Sequence, residues 1–281
     1  MKILLLTLFF ICCLATGGIF VRLSELGPIT TGFYRILFSV PILYLLLKNK
    51  NNTLLSYKDK TTLFIAGMFL AGDIILWNIS FHYTTIANAN LLANLVPFTI
   101  IPVSYFLYKE KVSFAFLVGL LITVIGLFVL LTGKINLSEN NIYGDVLAFL
   151  TSIFYAIFLL VVYKIRHKAS AMQVMYYSAF GSLAVLLISS LLFEGFSYPH
   201  NVRMLYPLLA LTLFSQILGQ GGLSYILGKI SANMASVLVL TQPVISAIFA
   251  LMIFNEKLSI QEVIGIFIVL TGIFISKKSN K

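Results

Sequence analysis

Arg35 and Asp73 are the charges that stand deepest inside long apolar stretches of this sequence, in GFYRILFS and LAGDIILWN. An ionised side chain taken out of water costs free energy that only a partner, a ligand or a proton can offset. Each is therefore a candidate to line an internal cavity and contact a substrate. The competing reading is an ion pair that holds two helices together. Burial raises the pKa of a carboxylate and a nearby arginine lowers it. The sequence therefore leaves open whether Asp73 also carries protons.

Other polar residues fall into register with these two. Asp73, Trp77 and Ser80 recur at helical spacing on one face, with Asn78 beside it. Trp77 is the only tryptophan, and its ring could stack on a flat or cationic ligand. Asn88, Asn90 and Asn94 precede Pro97, and Asn90, Asn94 and Pro97 share a face. Amides within a bilayer must find hydrogen-bond partners, so that face points inward. Gln216 and Gln220 are neighbours four apart, with Ser224 a further turn along. The candidate substrate-binding set is thus Arg35, Asp73, Trp77, Asn78, Asn90, Asn94, Gln216 and Gln220. Tyr155, Tyr177 and Gln242 are weaker candidates. Packing between helices is the competing role for every uncharged member.

No constellation for catalysis or metal binding accompanies them. The three histidines, His82, His167 and His200, are scattered, and no zinc spacing, phosphate loop or nucleophile motif is present. Cys12 and Cys13 are adjacent within an apolar run and read as packing residues. No catalytic residue, metal or cofactor is expected, and the chain is not expected to be an enzyme. A lipid-modifying membrane enzyme would need carboxylates or histidines clustered near one interface. A channel would need a symmetric polar lining, whereas these polar residues favour the first half.

The elements that position these residues follow from composition. Of 281 residues, 60% are hydrophobic and 10% charged, and mean hydropathy is +1.02. A soluble domain carries about 25% charged residues; a surface this poor in charge must face lipid. A bilayer core of about 30 Å takes about 20 apolar residues in helix. Ten stretches meet that length: Ile3–Val21, Pro28–Leu47, Thr62–Phe81, Ala87–Tyr108, Val112–Leu131, Gly144–Val162, Met172–Phe193, Leu205–Ile226, Ala232–Phe254 and Ile260–Ser276. The first could pass for a signal peptide, but retaining it makes the helix count and the internal repeat even. The runs are continuous, which excludes barrel strands with their alternating pattern.

The net charge of +10 is read as orienting the chain, with no nucleic acid as partner. With the N-terminus in the cytoplasm, only Arg22, Lys134, Arg203 and Lys257 of the 19 Lys and Arg fall outside and Arg35 within a helix. That bias places both termini inside, in a multi-pass protein of the cell inner (cytoplasmic) membrane.

Residues 85–130 align without a gap onto 231–276. Pro97 matches Pro243, Glu110-Lys111 matches Glu256-Lys257, Ser113 matches Ser259, Gly119 matches Gly265 and Gly126 matches Gly272. Each repeat spans five helices, an odd number, so the second enters from the opposite side. Inverted repeats of this kind are the architecture of secondary transporters, which expose one central site to either side in turn. The expected units are residues 1–132 and 142–277. Pro97 and Pro243 each remove a helical hydrogen bond and are candidate gating hinges. Glu110 and Glu256 are expected to cap the helices that follow them. The glycine pairs, seven apart, are expected to mediate packing or homodimer contacts through helices five and ten.

The two segments that carry the repeat read ANANLLANLVPFTIIPVSYFLYKEKVSFAFLVGLLITVIG and ANMASVLVLTQPVISAIFALMIFNEKLSIQEVIGIFIVLTG. With GFYRILFS, Gly144-Asp145 and SQILGQ, they give the chain a resemblance to the drug/metabolite transporter superfamily, of the EamA-domain type. The resemblance implies ten helices, cytoplasmic termini and a central cavity lined by helices one to four and six to nine. It also implies peripheral helices five and ten, and alternating-access transport of small metabolites such as amino acids, by export, exchange or uptake.

Overall fold

The computed structural model describes residues 2–48, 53–80, 82–132, 141–254 and 258–279. Phe81, Lys134, Glu256 and Lys257 lie outside the described residues. Ten helical spans are long and apolar enough to cross a membrane, and no strand occurs among the described residues. Large apolar side chains such as Leu121, Phe128, Phe267 and Phe274 are exposed on the outside of the bundle, as a lipid-facing surface requires.

Several spans are broken rather than continuous. The first comprises α1 (Lys2–Ala15) and α2 (Gly17–Leu23), and the second is α3 (Pro28–Lys48). The third is α4 (Tyr57–Ser80). The fourth splits into α5 (Ile86–Ala93) and α6 (Val96–Tyr108), where a single kinked helix was expected. Asn94 ends α5, and Pro97 sits in the first turn of α6. There the backbone N–H would be unsatisfied in any helix, so proline costs nothing and starts a new one.

The fifth and sixth spans are α7 (Phe114–Leu131) and α8 (Ile142–Ile165). The seventh is α9 (Ala171–Phe193), opened by a Ser170/Gln173 capping box. The eighth joins α10 (Val202–Ala210), a π-helical segment Leu211–Gln220 and α11 (Gly221–Leu227). The ninth is split into α12 (Ala232–Val239) and α13 (Gln242–Phe254), and α14 (Ile260–Ser279) is the tenth.

The ends of α5 and α6 fall at the positions that alignment pairs with the ends of α12 and α13. The caps correspond too. Thr85 accepts from Asn88 N and Ser231 from Met234 N, at 3.1 and 3.2 Å. Ser113 accepts from Phe116 N and Ser259 from Glu262 N, again at 3.1 and 3.2 Å. Helix α7 is thus capped by Ser113 and not, as expected, by Glu110. The Glu110 carboxylate instead accepts from Tyr163 OH at 2.5 Å and Asn233 Nδ2 at 3.0 Å. A serine at the cap position reaches its own helix at no cost in chain reversal, which frees the glutamate for partners on other helices.

Helix α7 packs along α14. A Cβ on Gly119 would come within 2.7 Å of the Gly272 carbonyl oxygen, and one on Gly272 within 2.5 Å of Thr123 N. Only glycine permits backbones this close. The glycine faces are therefore spent on packing within one chain.

Elsewhere α4 packs on α8 and α9, α3 on α9, and α1 on the π segment. At the end of the bundle where α6 finishes, Glu110, Tyr163, Asn233 and Ser104 form one hydrogen-bonded chain. At the other end, Glu194 receives Ile29 N at 2.7 Å and Thr30 N at 2.8 Å.

Candidate functional site

A cavity lies inside the bundle, in the half toward the end of α2 and the start of α3. Its volume is about 110 Å³. One water needs roughly 10–15 Å³ and drug-sized ligands roughly 300–1,000 Å³. A compact polar solute is the matching size.

The chain breaks bring polar groups to its wall. Arg35 comes from the middle of α3, Asp73 and Trp77 from α4, and Asn90 and Asn94 from the end of α5. Helix α5 stops at this depth, so its C-terminal residues face the cavity. Asn94 closes the helix and its Nδ2 donates to the Asn90 carbonyl at 2.7 Å. From the second half come Tyr155 of α8, Ser215 and Gln220 of the π segment, and Gln242 of α13.

Every member of the candidate substrate-binding set except Gln216 lines this cavity. Gln216 stands behind it, 1% exposed, and its Oε1 accepts from Arg35 Nε at 2.9 Å. Gln220 does line the wall, and its Oε1 accepts from Tyr155 OH at 3.1 Å. The two glutamines thus serve different neighbours, one on α3 and one on α8. Asn78 points away from the other polar groups with its Nδ2, which donates to the Pro28 carbonyl at 2.8 Å. Its Oδ1 is buried without a partner among the described residues.

Arg35 and Asp73 influence each other electrostatically, as does Tyr155 each of them. They form no ion pair with each other among the described residues. The purely structural ion pair is therefore absent in this conformation, and both side chains stand on the cavity wall.

Other expectations resolve differently. Tyr177 lies at the opposite end, beneath Lys60, whose Nζ is 5.4 Å from the ring centroid. Asn88 turns from the cavity, its Nδ2 donating to Asp145 at 3.0 Å. Pro97 and Pro243 sit in the first turns of α6 and α13, just beyond the breaks. Among the described residues, no group of three or more His, Cys, Asp or Glu is placed to hold a metal.

Sequence reasoning missed Thr31, Thr151 and Ser215, and the pair Gly17-Gly18, all on the wall. Single hydroxyls in apolar helices carry little signal, because they bond to their own backbone as readily as to a ligand. The adjacent glycines were the available clue. A Cβ on Gly18 would lie 3.9 Å from the Trp77 ring and one on Gly17 2.8 Å from Ser215 Oγ.

The EamA-like transporter family model matches residues 1–132 and 142–277. An uncharacterized transporter of Archaeoglobus fulgidus is 27% identical over 272 residues, covering 93% of this chain and 92% of that one. The uncharacterized transporter YetK of Bacillus subtilis is 27% identical over 268 residues, covering 90% and 79%. A probable amino-acid metabolite efflux pump of Salmonella typhimurium is 23% identical over 197 residues, covering 67% and 66%. A solved crystal structure superposes with a TM-score of 0.81 at 17% identity, over 99% of this chain and 97% of that one. That last likeness is one of fold.

Proposed function

The chain belongs to the EamA-like transporter family of the drug/metabolite transporter superfamily, and from that premise we propose that it exports a small metabolite, an amino acid or related compound, across the cytoplasmic membrane. The observation that carries this reading is the cavity. It gathers Arg35, Asp73, Trp77, Asn90, Asn94 and Gln220 from both halves of the chain, and buried polar groups converging on one space are the mark of a binding site. These residues, with Asn78 on the wall and Gln216 behind Arg35, form the substrate site.

Transport proceeds by alternating access between two five-helix halves of opposite orientation, with both termini in the cytoplasm. The matched ends and caps of α5–α6 and α12–α13 support the repeat, as does the exchange of glycine contacts between α7 and α14. Broken helices at the substrate site are what such repeats use. The breaks before Pro97 and Pro243 are the hinges. With the N-terminus inside, the cavity lies toward the outer face, and the Glu110 chain closes the inner one. Export is favoured by the efflux relative, and Asp73, an acidic side chain on the cavity wall with no ion-pair partner among the described residues, is the group through which protons couple.

Purified protein in liposomes loaded with labelled amino acids and other small metabolites tests this. Saturable release of one class, lost in Asp73→Asn and Arg35→Ala, is expected. Release that a proton gradient accelerates in the native protein and leaves unchanged in Asp73→Asn establishes the coupling. Folded, inserted protein that moves none of the compounds in either direction overturns the reading.

A further inference from the structure

At the end of the bundle where α6 finishes, a groove opens between α1, the start of α12 and the last turn of α14. Its volume is about 440 Å³, within the roughly 300–1,000 Å³ that ligand sites take. Ile3, Leu4, Met234 and Leu238 form its wall, and Lys229 and Lys277 stand on it with them. Two hydroxyls line it too, and both are engaged. Thr7 Oγ1 donates to the Ile3 carbonyl at 2.7 Å, and Ser231 Oγ accepts from Met234 N at 3.2 Å. Apart from the lysines the lining is therefore apolar.

The position of the groove decides what fills it. Its three helices belong to membrane spans, and Leu5 and Leu6 of α1 and Phe274 of α14 are exposed on the outer surface. The bilayer core holds no water, so an apolar wall there is met by an acyl chain. The lysines stand where those spans end. Lys277 is in the last turn of α14, and Lys229 is in the turn between α11 and α12. Neither joins an ion pair among the described residues. The Nζ of Lys229 is 5.6 Å from the ring centroid of Tyr225. Two ammonium groups at headgroup level attract a lipid of net negative charge, and the start of α12 adds the positive end of its dipole.

The cavity on the other side of Lys229, Ile230 and Ser231 is a poorer place for an anion, although Lys164 and Arg166 line it. Arg166 is spent on the carbonyls of Ser224 and Ala169, and Glu110 puts an acidic side chain on that wall. No acidic residue is among the described residues that line the groove.

We propose that the groove binds one anionic phospholipid from the leaflet at that end, its phosphate against Lys229 and Lys277 and an acyl chain along Met234 and Leu238. The lipid bridges α1 of the first half to α12 and α14 of the second. This site is separate from the central cavity and does not depend on what is carried there.

The full-length protein in detergent, stripped of lipid, is titrated with phosphatidylglycerol, with phosphatidylcholine of the same acyl chains and with glycerol 3-phosphate. Native mass spectrometry counts the molecules bound. The first phosphatidylglycerol is expected to bind about tenfold or more tightly than phosphatidylcholine, and glycerol 3-phosphate is expected to bind more weakly than either. Lys229→Gln with Lys277→Gln is expected to abolish the preference for the anionic lipid. Lys2→Gln with Lys278→Gln removes two exposed charges from the same end but outside the groove, and is expected to keep it.

Phosphatidylcholine that binds as tightly as phosphatidylglycerol overturns the proposal. That comparison is made in the native protein, so a variant that fails to fold does not shield it. Glycerol 3-phosphate that binds as tightly as the lipid also overturns it, because the acyl chain then contributes nothing. Equal loss of preference in the two lysine pairs overturns it too, since a diffuse attraction to the whole basic end would then suffice.

Discussion

Arg35 of α3 donates Nε–H to Oε1 of Gln216 at 2.9 Å, and so ties the second span of the first half to the π segment of the second. A second tie runs beside it, Thr212 Oγ1 to the Arg35 carbonyl at 3.2 Å. The π segment carries one extra residue per bulge relative to an α-helix. That changes which residues share a face, and it lets Gln216 meet α3 while Gln220 meets Tyr155 of α8.

Arg35→Lys preserves charge and removes the fork. A lysine ammonium is a single point donor group and cannot hold Gln216 while presenting two parallel donors to the cavity. Substrate release from liposomes is expected to fall at least about tenfold, the loss of one or more charge-assisted hydrogen bonds. Melting in detergent is expected to change little, since the positive charge stays beside Asp73. Unimpaired release by this variant would remove Arg35 from the site.

The helices and most of the cavity wall were legible from the sequence for a simple reason. Lipid demands long apolar runs, so the polar residues inside them stand out, as Arg35, Asp73 and Asn94 do. The breaks were half legible. Pro97 and Pro243 mark an irregularity, but a proline is consistent with a kink inside a helix or with the start of a new one. The backbone of Asn94 and Leu95 decides between them. The split duties of Gln216 and Gln220 were hidden, because a spacing of four implies one face only in a regular α-helix. The partners of Glu110 were hidden as well, since Tyr163 and Asn233 lie far away in sequence.

Glu110 holds three elements together at the end of the bundle away from the cavity. Its carboxylate accepts from Tyr163 OH and Asn233 Nδ2, and Asn233 Oδ1 in turn accepts from Ser104 Oγ at 2.9 Å. Tyr163→Phe deletes one of these bonds and keeps the ring. The state open at that end is expected to gain population by about 10-fold or more, a bond to a charged group being worth roughly 1.5–3 kcal/mol. Ala235, fully buried on α12, reports it. In a background lacking Cys12 and Cys13, Ala235→Cys should react faster with a polar maleimide from that side once Tyr163→Phe is added. Equal rates would mean that the chain of bonds does not hold this end shut.

Packing of α7 on α14 predicts a loss of stability without a change of specificity. Gly272→Val would drive a branched side chain into Thr123 N and the Gly119 carbonyl oxygen, at 2.5 and 2.6 Å from the new Cβ. Both contacts are with backbone, which cannot rotate aside. Overpacking of this kind costs about 1–3 kcal/mol, more where nothing yields. A lowered melting temperature in detergent is expected, with Trp77 responding to the same ligands in whatever fraction stays folded. A variant that melts like the native protein would mean that the two helices can separate freely.

Glu194 serves the start of α3 from another helix. It follows the end of α9, and its two oxygens accept from Ile29 N and Thr30 N while Thr30 Oγ1 donates to it at 2.7 Å. The first N–H groups of a helix have no partner in the helix itself, and the dipole there favours negative charge. A carboxylate supplied in trans meets both needs and pins α9 to the entrance of α3. Glu194→Gln keeps the shape, turns one acceptor into a donor and removes the charge. It is expected to cost about 1–2 kcal/mol, the range of a lost cap with its dipole interaction. Thr30→Val, which deletes only the hydroxyl, is expected to cost less. The two changes should be less than additive because they share a partner. Melting of both single variants and the double variant measures this, and strict additivity would show that Thr30 and Glu194 act independently.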